Sequence, residues 1–175
     1  MGGLARYRAE PRGWWVQELE TIPTGALVHE LEALYAAVFG VTGGSEPGGM
    51  EAMDLAGRLG HKARIHIALA RVGRRLVGFK IGYERKPGHF ESWLGGVAAS
   101  HRGQGIAGEL MRRQHAWCRA NGYRTVRTLT TNRWRDMLIL DLRHGFEIVG
   151  TYTDRRGEPR LILERCLEPA ASSGG

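Results

Sequence analysis

Apolar residues along the chain change their spacing several times, and each change marks an element. Trp14 to Leu19 reads as a first strand. In TGALVHELEALYAAVF, Leu27, Leu31, Leu34 and Val38 recur at helical spacing, with Tyr35 beside them, so a helix is predicted, with Thr24 as its N-cap. Gly40 to Gly49 (GVTGGSEPGG) is a glycine-rich loop, and Met50 to Leu59 a short second helix. ARIHIALARVGRRLVGFKIGYER then alternates apolar and polar residues on either side of Gly73-Arg74-Arg75, the pattern of a two-stranded hairpin. FESWLGGV is a further strand.

GQGIAGELMRRQHAWCRANG returns to helical spacing, with Ile106, Ala107, Leu110, Met111, Trp117 and Cys118 on the apolar face and Asn121-Gly122 as the stop. YRTVRTLTT is a strand, and WRDMLILDLRH a helix ended by Gly145. FEIVGTYT and PRLILERCL are two strands joined by DRRGE. The predicted order is β-α-α-β-β-β-α-β-α-β-β, an α/β (α+β) pattern with one βαβ crossover from Ser92 to Thr130. A single domain over residues 14–167 follows, with an N-terminal extension at 1–13 and a disordered tail at 168–175.

Composition changes this picture little. The 175 residues are 42% hydrophobic and 25% charged, as in ordinary globular domains. The net charge of +7 comes almost wholly from arginine, since only Lys62, Lys80 and Lys86 are lysines. Such a balance favours an anionic partner, either nucleic acid or a polyphosphate cofactor. The arginines are dispersed rather than gathered into a basic arm, which disfavours nucleic acid. Cys118 and Cys166 suggest reduced thiols rather than a disulfide framework. No signal peptide or membrane-spanning run is visible, so a cytoplasmic protein is expected. His61 and His66 have no carboxylate or cysteine cluster beside them, and no metal is expected.

The segment HRGQGIAGEL spells G-x-G-x-x-G over Gly103 to Gly108. A dinucleotide fingerprint would place its first glycine directly after the strand and an acidic residue about 20 positions later. Here five residues separate Val97 from Gly103, and no acid lies between Glu109 and Asp136. A P-loop is excluded because no Gly-Lys-Ser/Thr occurs. What remains is a small-residue turn preceded by Arg102 and opening a helix, suited to a pyrophosphate.

Strand, then V-A-A-S-H-R-G-Q-G-I-A, then helix resembles the acyl-CoA signature Arg/Gln-x-x-Gly-x-Gly/Ala of the GNAT N-acetyltransferase superfamily, met by Arg102, Gly105 and Ala107. The resemblance extends over roughly Trp14 to Leu167, and HGFEIVGTY resembles the end of the family's last helix and the strand beyond it. It implies a mixed, mostly antiparallel sheet with helices on both faces. Its central parallel pair, Trp93–Val97 and Thr125–Thr130, splays apart to admit acetyl-CoA. The backbone from Val97 through Ala98 to Ala99 would pair with the pantetheine arm, and the Val97 N–H would polarise the thioester carbonyl. Arg102, Gly103, Gln104, Gly105, Ile106 and Ala107 would hold the pyrophosphate. Asn132 is either a further pantetheine contact or the N-cap of the next helix.

The implied activity is transfer of an acetyl group to a primary amine of a small molecule or peptide, by direct attack in a ternary complex. Glu91 has the register of the family's glutamate base, against the alternative of a solvated strand-end acid; His89 is the second candidate base. The family's usual tyrosine acid is replaced by Asp141, either a proton donor or a structural carboxylate paired with an arginine such as Arg135 or Arg143. Gly95-Gly96 inside a strand marks either a kink at the splay or tight packing. Glu46, Glu51 and Asp54 are candidates for attracting the amine, against the alternative of solvated acids on a loop and short helix, and Arg155, Arg156 and Arg160 for an anionic acceptor, against turn charges that simply face water. A noncatalytic acyl-CoA-binding module is the alternative function, and a homodimer stays open.

Overall fold

The computed structural model describes residues 13–40 and 54–167. Glu46, Glu51, most of the Gly40–Gly49 loop and the start of the second predicted helix lie outside them, as do residues 1–12 and the 168–175 tail. The elements run β1 (Trp15–Leu19), α1 (Ala26–Phe39), α2 (Leu55–Leu59), β2 (Ala63–Val72), β3 (Arg75–Lys86), β4 (His89–Val97), α3 (Ile106–Ala120), β5 (Thr125–Thr130), α4 (Arg135–Arg143), β6 (Glu147–Thr153) and β7 (Pro159–Cys166). The seven strands form one sheet in the order β1-β2-β3-β4-β5-β7-β6. Only β4 and β5 are parallel; the other neighbours are antiparallel.

Strand alternation sends residues to opposite faces. Ile65, Ile67, Leu69, Phe79 and Ile81 pack with Leu31, Leu34 and Tyr35 of α1 and Leu55 and Leu59 of α2. On the other face, Ala68, Ala70, Val77 and Val97 pack with Trp14 and with Ile106 and Leu110 of α3. Farther along that face, Phe90, Val126 and Leu163 pack with Met111 and Cys118 of α3, while Met137, Leu138 and Leu140 bring in α4. His66 is a fully buried strand residue on the α3 face, its Nε2 3.0 Å from Glu18 and its ring 4.8 Å from that of Trp117.

Helix ends depart in part from expectation. Gly25, not Thr24, occupies the N-cap of α1, without a side-chain cap bond. Asp54 caps α2 by accepting from the Gly57 N–H at 2.8 Å, which accounts for a carboxylate proposed above as an amine attractor. The α3 helix stops where expected, with Gly122 at φ 79° and the Tyr123 N–H bonded to Cys118 O. A 3-10 turn, Asn132–Trp134, precedes α4, and no side chain caps that helix. The N-cap role suggested for Asn132 is therefore not realised.

Candidate active site

The parallel pairing of β4 with β5 is short. Its register holds His89 opposite Thr125, Phe90 opposite Val126 and Glu91 opposite Arg127. The Thr128 hydroxyl then donates to Ser92 O at 2.9 Å. The register of this pair extends no further, although β4 continues to Val97 and β5 to Thr130. This is the splay.

A bulge in β4 falls at the same level. Ile81 is opposite Leu94 but Gly82 is opposite Ser92, so Trp93 is the extra residue. Trp93 and Leu94 consequently both pack against the α1/α2 core, which strict alternation forbids. The bulge thus lies two residues before Gly95-Gly96, and the two glycines answer to close packing instead. A Cβ on Gly96 would come within 2.6 Å of Val38 Cγ1, and one on Gly95 within 2.9 Å of Lys80 Cδ.

The ladder also fixes where backbone donors point. The Ala98 N–H bonds Val77 O at 2.8 Å. Along an antiparallel ladder, successive residues turn their N–H groups alternately toward and away from one partner. With Gly78 opposite Val97 and Lys80 opposite Gly95, the N–H groups of Val97 and Gly95 turn away from β3, into the splay. Val97 O accepts from Arg102 Nε at 3.2 Å, tying the following loop to the strand end.

That loop is shaped by two left-handed glycines. Gly103 has φ 74°, and Gly105 has φ 78° and is the N-cap of α3. The helix starts at Ile106, three residues after Gly103, where the helical segment is expected to begin. A Cβ on Gly103 would meet nothing within 4 Å, so the loop backbone is uncovered. First-turn N–H groups of a helix have no intrahelical acceptor and favour an anion. The donors fit a pyrophosphate and the splay fits an extended arm, so the chain's own residues suit acetyl-CoA.

Glu91 is 7% exposed, which removes the solvated strand-end reading. Phe90 turns to α3, so Glu91 turns to the opposite face. There an open cleft of about 480 Å³ is lined by His61, Lys62, Tyr83, Glu84, Glu91 and Arg127, among others. Burial pushes the Glu91 carboxyl above the ordinary glutamate range, with the positive charges of Arg127 and Arg85 opposing. Arg85 Nε is 4.0 Å from it. Glu84 is occupied elsewhere, accepting from the Tyr123 hydroxyl at 2.8 Å. His89 lies at the start of β4, its pKa lowered by burial first and by Lys86 next. Asn132 is exposed at the far end of β5. Asp154, Arg156 and Arg160 knit the β6–β7 turn together, with the Arg160 Nε bonded to Asp154 at 2.9 Å.

Asp141 is 2% exposed, as its helical spacing from Trp134 and from Met137 or Leu138 places it on the inner face of α4. The arginines proposed as partners, Arg135 and Arg143, are exposed; the charge that acts on Asp141 is Lys80 of β3. Burial raises the Asp141 carboxyl and Lys80 opposes that shift. Sequence reading passed over Lys80, and also Gln114 and His115, which are buried on the inner face of α3. One signal was available for the lysine: Gly78-Phe79-Lys80-Ile81-Gly82 puts small residues on either side of it on one face.

Residues 28–146 match the model of the acetyltransferase (GNAT) family. The chain therefore belongs to that family, a class of acyl-CoA-dependent acetyltransferases. Among solved structures, it is similar to the ribosomal-protein-S18-alanine N-acetyltransferase from Escherichia coli (TM-score 0.71, 12% identity, 93% of this chain and 99% of that one). It is also similar to Ard1 from Thermoplasma volcanium (0.65, 15%, 89% and 99%). A third is a GNAT family acetyltransferase from Elizabethkingia anophelis with acetyl-CoA bound (0.62, 14%, 89% and 99%). At these identities the likeness is one of fold. No curated protein matches the sequence. Among the described residues, no helix is long and apolar enough to cross a membrane, and no group of three or more metal-ligating side chains is found.

Proposed function

We propose that the protein transfers an acetyl group from acetyl-CoA to a primary amine of a small molecule or peptide, by direct attack in a ternary complex. The observation that carries this reading is the placement of Glu91: a buried carboxylate lining an open cleft, on the strand whose free edge forms the splay. When bound, acetyl-CoA supplies an activated acyl group on a thiol leaving group. The Val97 N–H, with that of Gly95 beside it, donates to the carbonyl oxygen that becomes an oxyanion. Val97 to Ala99 align the pantetheine arm, and Arg102 to Ala107 bind the pyrophosphate. Asn132, exposed beyond β5, adds a contact to the arm. Glu91 Oε accepts the proton the amine sheds.

Thiol release from acetyl-CoA, measured across a panel of amines and short peptides, tests the reading; turnover of at least one amine is expected. Asp141 at the position of the family's tyrosine favours a second reading, a noncatalytic acyl-CoA-binding module. Tight acetyl-CoA binding without turnover of any amine would establish it.

Gly105→Ala tests the loop. Alanine at φ 78° costs about 1–2 kcal/mol and places a methyl group beside the anion path. Acetyl-CoA affinity is expected to fall about tenfold by calorimetry, with kcat at saturating acetyl-CoA little changed.

A further inference from the structure

We propose that Lys80 gives the proton to the departing coenzyme A thiolate, and that Asp141 holds and restores it. The inference rests on the acetyl-transfer reading above.

Its basis is geometric. Lys80 lies on β3 directly opposite Gly95, one of the two residues whose N–H enters the splay. Its Nζ is 3.4 Å from the point a Gly95 Cβ would occupy, so the absent side chain leaves the ammonium against the strand edge. With Gly95, Val97, Ala107, Met111 and Met137, among others, Lys80 lines a small cavity between that edge and helices α3 and α4. The other residues that line it are glycines or carry apolar side chains. A thioester whose carbonyl meets the Gly95 or Val97 N–H has its sulfur in this region.

Asp141 enters from α4, where the family's tyrosine would stand. One of its carboxylate oxygens, Oδ1, is buried without a hydrogen-bond partner. Lys80 is 4% exposed, and Asp141 is the negative charge that favours its ammonium. The neighbouring histidines do not compete as cations. Burial, then Arg165, holds His115 down to about 3, and burial, then Arg112, lowers His144.

The pair carries one transferable proton in either of its forms, ammonium with carboxylate or amine with carboxylic acid. As the amine nitrogen bonds the acetyl carbon, the carbon–sulfur bond breaks and sulfur leaves with the electron pair. The nitrogen's proton passes to Glu91. Lys80 Nζ gives its proton to sulfur and is left neutral beside the Asp141 carboxylate. Release of products lets Glu91 return its proton to water and the pair recover one, so the cycle closes. Burial lowers the lysine from its ordinary value, with Asp141 opposing, which makes its ammonium a readier proton donor.

Two measurements on the full-length protein test this. First, calorimetry with CoA and with desulfo-CoA: the wild type is expected to prefer CoA about tenfold, and Lys80→Met to bind both equally. Retained desulfo-CoA binding shows that the variant is folded. Second, steady-state kinetics: Lys80→Met is expected to lower kcat about 10- to 100-fold with the acceptor KM unchanged. Asp141→Asn in the same background should add no further loss, because the pair acts as one donor.

Lys80→Arg keeps the charge in a group that does not release its proton. It should retain the preference for CoA while kcat stays low, and it carries the test should Lys80→Met not fold. Wild-type kcat in Lys80→Met and Lys80→Arg, or an undiminished CoA preference in Lys80→Met, would overturn the proposal. So would an acetyl group found on Lys80 by mass spectrometry, which would make the amine a nucleophile. If no amine is acetylated by the wild type, the acetyl-transfer reading falls. The CoA comparison still shows whether Lys80 meets the sulfur.

Discussion

Glu91→Gln is expected to lower kcat/KM for the best acceptor amine about 10²- to 10⁴-fold, the span of general-base contributions. Gln keeps the shape of the side chain and the cleft but cannot take a proton. The pH profile is the sharper measure. Burial places the Glu91 carboxyl above the ordinary glutamate range, so in the wild type kcat/KM should fall as pH drops through that raised value. The variant should lack this acid limb. Loss of the fold is separable by sign. A carboxyl whose folded pKa is raised stabilises the protein while protonated and loses that contribution as pH rises through the folded value. Removing its ionisation should therefore leave neutral-pH stability unchanged or slightly higher. Wild-type activity and an unaltered acid limb in Glu91→Gln would remove this residue from the mechanism.

Gly82→Ala is expected to cost about 3 kcal/mol of stability, the upper part of the usual overpacking range, and to lower Tm by roughly 6–12 °C. Gly82 is opposite Ser92 at the bulge. A Cβ there would lie 2.3 Å from Phe90 Cε1 and 2.6 Å from Glu91 O. The ring can turn, but the carbonyl belongs to the strand, so β3 and β4 must separate beside the candidate base. Activity should fall with stability, since the strain acts on the backbone that aims Glu91. Gly150→Ala on β6 is the matched comparison. Its added Cβ meets Ile162 Cδ1 at an ordinary 3.7 Å. There, alanine should be neutral or stabilising by about 0.5 kcal/mol, through the lost freedom of the unfolded chain. Thermal denaturation of both variants checks the pair, and equal Tm values would contradict the argument.

Much of the fold was legible because its signals are local. The helical spacing of Leu31 and Leu34, the alternation through Ile65, Ile67 and Leu69, and the stop at Asn121-Gly122 each follow from neighbours in sequence. The same holds for the loop around Gly105, whose left-handed conformation requires glycine. Helix phase alone placed Asp141 inside. Bulge position was less accessible. Gly95-Gly96 attracts attention by composition, whereas the extra residue is Trp93, set by pairing with a strand whose own register is distant in sequence.

By itself, then, the sequence determined the order of elements, the site of the anion-binding turn and the inward phase of Asp141. These are periodic or conformational properties, written within a few residues. Tertiary structure decided which charges meet. It made Lys80, not an arginine, the charge that acts on Asp141, and it placed Arg127 and Tyr83 around Glu91. It also ended the β4–β5 ladder at Glu91 and Arg127, leaving the Gly95 and Val97 donors turned toward the gap. Those outcomes depend on packing between segments tens of residues apart, where burial and the loss of water, rather than local propensity, fix a side chain's partner and its charge.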